Sequence, residues 1–397
     1  MSNQPAVIGP DGVARPYIGG QAVLEGVMMR SPHAFAVVVR RRNGELTVME
    51  EPMTDLRQGA RAWPFVRGVS ALVEALKLGS RSLRFSAEVY ERDLNEAEAA
   101  PEGAQTSGEG SGGPRSRGSS PGLLSVLSLP VIALVTSEPE FSPSAGTGAG
   151  EKKGEGNSLM TALSVVFALG LFIALPQAFA AGVSALFKLD LDVRSPGFQA
   201  ITGAAKLVII IGYMLAIRRI PDIYRVFQYH GAEHKSIHVY EAGEALTVEN
   251  ARKRTTLHPR CGTTFIVMVA LVSIFVFSLL GPFLPSFGLN KLADNVLFFL
   301  FKLPFLPLIA AVTFELQRLL ARFGKNGPLK VLLWPGFLVQ KITTIEPEDA
   351  QLEVAMGSLA LALAHERGVR REAAARQSYP NYAELVSRGA APEPAVG

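Results

Sequence analysis

Four of the chain's six histidines fall between residues 230 and 258, and imidazole is the commonest protein ligand for metals. They lie in two strings, Phe227-Gln228-Tyr229-His230-Gly231-Ala232-Glu233-His234-Lys235-Ser236-Ile237-His238 and His258-Pro259-Arg260-Cys261-Gly262-Thr263. On a helix, residues four apart are offset by roughly 40° and about 6 Å, so His230 and His234 can turn their rings toward one ion. His238 continues the stripe but sits about 12 Å from His230 along the axis, too far for all three to share an ion. The order His-x-x-Glu-His is that of inverted zinc-protease motifs, where the histidines hold zinc and the glutamate is a general base. That order makes Glu233 the catalytic candidate. The pattern is short, and Gly231 inside it costs a helix about 1 kcal/mol relative to alanine. Ligands from elsewhere are therefore needed, and His258 and Cys261 offer an imidazole and the chain's single thiol. His238, Glu25 and Glu241 are secondary candidates. Each residue also has a bland reading: histidines bond to carbonyls or cap helices, a lone cysteine is a small buried hydrophobe, and a carboxylate in a glycine-rich turn can be structural.

The elements that must position these groups are mostly apolar. Of 397 residues 48% are hydrophobic and 19% charged, with mean hydropathy +0.24, which points to a membrane protein. A net charge of +4 from 39 basic and 35 acidic residues gives no reason to expect nucleic acid as a partner, and one cysteine excludes an internal disulfide framework. Two charge-free runs, residues 158–187 and 263–290, are each long enough to span a bilayer. Residues 196–217 and 295–314 are apolar apart from Lys206 and Lys302, which are expected to snorkel. The expected fold is thus mainly α, with four helical spans within residues 158–314. The segment 218–262 is read as a basic loop carrying the histidines; the positive-inside rule puts it, with both termini, in the cytoplasm.

Outside the spans, residues 1–95 predict a small α+β region. Residues 34–41 and 45–49 form a β-hairpin about Asn43-Gly44 with a primed turn. Residues 66–90 show helical periodicity with a basic face, suited to packing on the hairpin or lying on a membrane. Residues 96–157 have a linker composition and a short apolar island at 123–136. In the carboxy-terminal part, 315–397, residues 330–341 predict an interfacial or re-entrant segment, Glu346-Pro347-Glu348-Asp349 opens a helix to about His365, and the last thirty residues read as a loose tail.

Five strings carry a resemblance: Gly-Gly-Gln-Ala-Val-Leu-Glu-Gly-Val-Met-Met-Arg from Gly19, Arg-Gly-Val-Ser-Ala-Leu-Val-Glu from Arg67, the two histidine strings, and Pro-Gly-Phe-Leu-Val-Gln-Lys-Ile-Thr-Thr-Ile-Glu-Pro-Glu-Asp-Ala-Gln from Pro335. Together they resemble the YqhQ-type family of bacterial multipass membrane proteins. The family has no assigned function, and its description as metal-dependent enzymes rests on these same histidines. The resemblance implies a bacterial inner-membrane location and places Glu25, His230, Glu233, His234, His238, His258 and Cys261 in shared motifs without giving any a role. The expected function is a metal-dependent hydrolase, with zinc the expected ion, acting at the cytoplasmic membrane face. His230 and His234 are its ligands, His258 or Cys261 completes the site, and Glu233 is the base toward water. Membrane lipid is the expected surroundings. The alternatives are a non-catalytic scaffold recruiting a cytoplasmic protein partner and, with less support, a transporter.

Overall fold

The run Ala34–Arg40 is apolar almost throughout because both faces of its strand are covered. The computed structural model describes residues 6–53, 63, 66–99, 166–167, 170–283, 291–323, 328–366 and 376–389. In chain order the strands begin with β1 (Ala6–Ile8), β2 (Ala14–Pro16), β3 (Gly19–Val23), β4 (Gly26–Arg30), β5 (Ala34–Arg40) and β6 (Leu46–Pro52). The helices then follow as α1 (Val66–Ala99), α2 (Leu175–Leu186), α3 (Pro196–Ile217), α4 (Pro221–Ala242), α5 (Val248–Arg252), α6 (Gly262–Leu280), α7 (Lys291–Lys302), α8 (Phe305–Phe323), α9 (Trp334–Thr343) and α10 (Asp349–Glu366). Strand β7 (Gln377–Tyr379), helix α11 (Tyr382–Glu384) and a π-helical turn, Leu385–Gly389, close the described chain.

Strands β3 to β7 form an antiparallel sheet of five in sequence order, and alternation of side chains divides its core in two. Val27, Met29, Ala36, Val38 and Val48 meet Tyr229 of α4 and Leu352, Met356 and Leu359 of α10. Val23, Met28, Phe35, Val37 and Val39 meet Leu78, Phe85 and Val89 of α1. The expected hairpin is present as β5 and β6, but its turn is not the primed type. Gly44 alone takes a positive φ, 92°, and its N–H donates to the Arg41 carbonyl at 3.0 Å, as in a type I turn closed by a left-handed glycine.

The helix expected at 66–90 runs to Ala99 and does two jobs: its second half covers the sheet, while its first half packs on α8 and leaves Val66, Val69, Val73 and Leu76 exposed. The described carboxy-terminal residues, 376–389, are not a loose tail. Antiparallel pairing of Leu46 with Tyr379 and Val48 with Gln377 adds β7 to the sheet edge, and Leu385 is fully buried. The sheet therefore takes its layers from both ends of the chain. The expected linker, 96–157, and its island at 123–136 lie outside the described residues beyond Ala99.

Among the described residues two helices, not four, are long and apolar enough to cross a membrane: α3, and α6 with its short 3-10 extension to Phe283. Of the first expected span, the described part is residues 166–167 and a π-helical turn, Gly170–Ala174, leading into the twelve residues of α2 and Phe187, with 158–165 and 168–169 outside the described residues. The fourth is a pair, α7 and α8, bent by 47°, which makes a third span only if the pair is counted as one. Pro304, which cannot donate a helical hydrogen bond, explains the break. Lys302 does not snorkel. It is buried, donates to Gln199 Oε1 at 2.7 Å and lies over the Phe277 and Phe298 rings at 4.8 and 4.3 Å. The segment at 330–341, expected to be interfacial or re-entrant, is helical: a 3-10 turn, Pro328–Leu333, leads into α9, which packs along α6.

Candidate metal centre

About half of the expected basic loop is the helix α4. Pro221 and Asp222 start it, where a missing N–H is harmless and negative charge meets the positive end of the helix dipole. Gly243, in the left-handed conformation at φ 73°, ends it. Residues from Phe227 to Tyr240 are nearly all buried, because α10 and β3 pack on one side and the segment leading into α6 closes the other. Gly231 is required by this packing: a Cβ there would collide with the Ile345 carbonyl oxygen and lie 3.3 Å from Thr256 Cγ2. A Gly231→Ala protein is accordingly expected to lose about 1–3 kcal/mol in denaturant unfolding despite alanine's better helix propensity. A neutral or stabilising result would contradict this close approach.

His230, His234 and Cys261 come together, with one ligand atom from each within 4.8 Å of the others. His230 Nε2 is 3.1 Å from Cys261 Sγ, and the two imidazoles meet edge to face with centroids 4.5 Å apart. Each ring is held from behind: His230 Nδ1 donates to the Thr343 carbonyl at 2.9 Å, and His234 Nδ1 donates to that of Thr256. Such bonds fix the tautomer that leaves Nε2 facing a metal. Nε2 of His234 is buried and makes no hydrogen bond. Cys261 caps α6, where its sulfur accepts from the Thr263 N–H at 3.4 Å. Burial would raise its pKa, but His230 and His234 outweigh that and hold the thiol well below its usual range. Burial would likewise depress His230, yet the Cys261 sulfur, with Glu233 and the Thr343 carbonyl, pushes it up. Negative charge on the Cys261 sulfur and positive charge beside it therefore favour each other.

Glu233 occupies the same face of α4 one turn from His230, and it is 5% exposed. Burial raises its pKa to about 7, against the opposing pull of His230. Its carboxyl accepts from the Ala22 N–H and lies over Gly20, where a Cβ would be 2.8 Å from Oε1. The glycine-punctuated opening of the chain thus supplies the floor beneath this glutamate.

His258 does not join the first pair. It groups with His238 and Glu241, again within 4.8 Å. This second group suits a cation less well, because the Arg260 guanidinium already pairs with Glu241. His238 Nε2 bonds to the Leu257 carbonyl at 2.8 Å, and burial followed by the neighbouring His258 lowers its pKa to about 3. Glu25 belongs to neither group: its carboxylate forms a two-pronged ion pair with Arg225 and accepts from Tyr229 Oη at 3.2 Å. That pairing steadies a non-glycine residue at φ 50° in the β3–β4 turn.

Sequence reading missed the residues that hold the ligand-bearing segment. Gln340 of α9 accepts from the His258 N–H at 2.8 Å and donates to its carbonyl at 2.7 Å, and Gln317 of α8 reaches the Pro259 carbonyl at 3.1 Å. Both are buried polar side chains, and an amide inside an apolar run was the available signal.

Comparison with known proteins agrees with the resemblance. The family described as a protein of unknown function, DUF1385, matches residues 63–365, which include both histidine groups but none of β1 to β6. The chain is 32% identical over 345 residues to the "Uncharacterized protein YqhQ" of Bacillus subtilis (strain 168), covering 86% of this chain and 91% of that one. No solved structure matches. The chain belongs to the DUF1385 family.

Proposed function

We propose that this protein is a membrane-embedded metal-dependent hydrolase whose ion, of the zinc class, is held by His230, His234 and Cys261. The observation that carries the reading is the buried Nε2 of His234, which makes no hydrogen bond and is aimed with two other donors at one point. Two imidazoles and a thiolate are the donor set that borderline-soft divalent metals prefer. A bound ion supplies Lewis acidity toward an acyl or phosphoryl oxygen. The protein's own groups do the rest. Thr343 and Thr256 fix the imidazole tautomers, Cys261 contributes negative charge, and Glu233, with a pKa near neutrality, can take a proton from water and return it to a leaving group.

The membrane part of the proposal rests on exposure. Only 22% of the apolar window of α3 and 28% of that of α6 is buried within the fold, so most of both surfaces needs an apolar solvent. The two helices pack on each other, and the carboxyl end of α3 and the amino end of α6 lead to the histidine-bearing module. The basic residues there favour the cytoplasmic side of a bacterial inner membrane. One feature supports a purely structural ion instead: His234, Glu233 and Cys261 are 1%, 5% and 7% exposed, which leaves little approach for a substrate.

Metal analysis of protein purified without chelators tests the proposal. About one equivalent of zinc or a similar divalent ion per chain is expected. Negligible metal, with no uptake on titration, would overturn it.

A further inference from the structure

A cleft of about 1020 Å³ lies between the β5–β6 hairpin, the second half of α1 and the junction of α3 with α4. Its walls carry Arg40, Arg41, Arg42, Arg218, Arg219 and Arg225. Three are already paired: Arg40 with Glu353 at 2.7 Å, Arg41 with Asp93 at 2.7 Å, and Arg225 with Glu25. The guanidinium groups of the other three have no carboxylate partner among the described residues, although the Arg42 backbone N–H donates to Asp93 Oδ2 at 2.8 Å. Arg42 lies over the Tyr90 ring at 5.6 Å, Arg218 makes a long bond of 3.4 Å to the Lys341 carbonyl, and Arg219 is exposed. Of the four carboxylates in the lining, Glu25 and Asp93 are bonded to arginine, and Asp222 and Glu348 are exposed.

Position and wall chemistry narrow the occupant. Arg218 and Arg219 directly follow α3, one of the two span-length helices, and Leu215, 43% exposed on its last turn, lines the same cleft with Val39 and Val89. The space is many times that of a free phosphate ion, and one wall is apolar. Guanidinium groups bind phosphate oxygens through parallel N–H bonds, and basic clusters where helices leave the cytoplasmic leaflet attract anionic headgroups. We propose that this cleft binds the phosphodiester headgroup of an anionic glycerophospholipid, through Arg42, Arg218 and Arg219, with acyl chains running along Leu215 and α3. The site lies on the opposite side of α4 from His230 and His234. It rests on the membrane reading above and is independent of the metal.

The test titrates the full-length protein, in neutral detergent, with dihexanoyl phosphatidylglycerol, dihexanoyl phosphatidylcholine and inorganic phosphate, following equilibrium binding at low salt. Phosphatidylglycerol is expected to bind at least tenfold more tightly than phosphatidylcholine. The Arg42→Ala/Arg218→Ala/Arg219→Ala protein should remove that preference. If the triple variant does not fold, Arg219→Glu alone, at an exposed position, should still weaken phosphatidylglycerol several-fold and leave phosphatidylcholine unchanged. Equal affinity for the two lipids, or no change in the variants, would overturn the site. Inorganic phosphate binding as tightly as phosphatidylglycerol would overturn the lipid and leave an anion site. Recovery of the chain in the soluble fraction of cells would sink the membrane reading, while the titration would still decide the cleft.

Discussion

His234→Ala and Cys261→Ser proteins should each hold at least tenfold less divalent ion than the parent chain if the proposed ligand set is right, whereas Glu233→Gln should keep the parent's content and lose any hydrolytic activity the parent shows. The two defects separate because the groups face different partners. Removing an imidazole or a thiolate from a set of three leaves too few donors, and serine's hydroxyl is a poor substitute for a thiolate beside His230 at 3.1 Å. The Glu233 carboxyl is instead directed to the Ala22 N–H and the Gly20 backbone. A glutamine there preserves shape and an acceptor oxygen but cannot hold the proton of a water. His238→Ala serves as the internal control, since it disturbs only the second group, whose Glu241 is engaged by Arg260. His234 also holds the Thr256 carbonyl, so unfolding curves must accompany its metal analysis. Loss of metal in Glu233→Gln would make that residue a ligand. Retention in both His234→Ala and Cys261→Ser, with loss in His238→Ala, would move the ion to the second group.

The triad was partly legible because its geometry is largely local. The four-residue interval fixes His230 and His234 on one helix face, and the segment leading into the apolar helix α6 twenty to thirty residues later passes that face and brings Cys261 with it. Which of the two would join the pair depended on Gln340 and Gln317, contributed from far along the chain, and no local pattern contains that information. Hydrophobic content located the apolar helices, but among the described residues only two are of spanning length, because composition does not show where a break such as that at Pro304 divides an apolar run. Lys302 shows the same limit. Its apolar neighbours are Phe277 and Phe298, and its hydrogen-bond partner Gln199 is on another helix, so the charge is satisfied inside the bundle rather than at an interface. Helix α4 is nearly all buried from Phe227 to Tyr240 and so carries no amphipathic stripe to mark its extent; only the four-residue histidine interval pointed to a helix within the connection 218–262.

Replacing Leu385 with alanine should destabilise the protein by about 2–5 kcal/mol, the range for deleting a fully buried leucine side chain. Composition gave no warning of this, since the polar, alanine- and proline-containing end of the chain has a tail's texture. What the texture omits is a single apolar anchor after a short strand. Gln377–Tyr379 pairs with β6 and covers an edge that would otherwise present unpaired backbone groups. Asn381 accepts from the Glu384 N–H at 2.9 Å and turns the chain back. Leu385 then enters the core with 0% exposure, against α10 at Gly357, where an added Cβ would lie 3.1 Å from Leu385 Cδ2. Because α10 also packs along α4, the anchor supports the helix that carries the histidines. Equilibrium unfolding of Leu385→Ala beside Ser387→Ala, an exposed position expected to change stability by no more than about 0.5 kcal/mol, provides the measurement. A Leu385→Ala effect as small as the serine control's would mean that the end of the chain does not dock on α10.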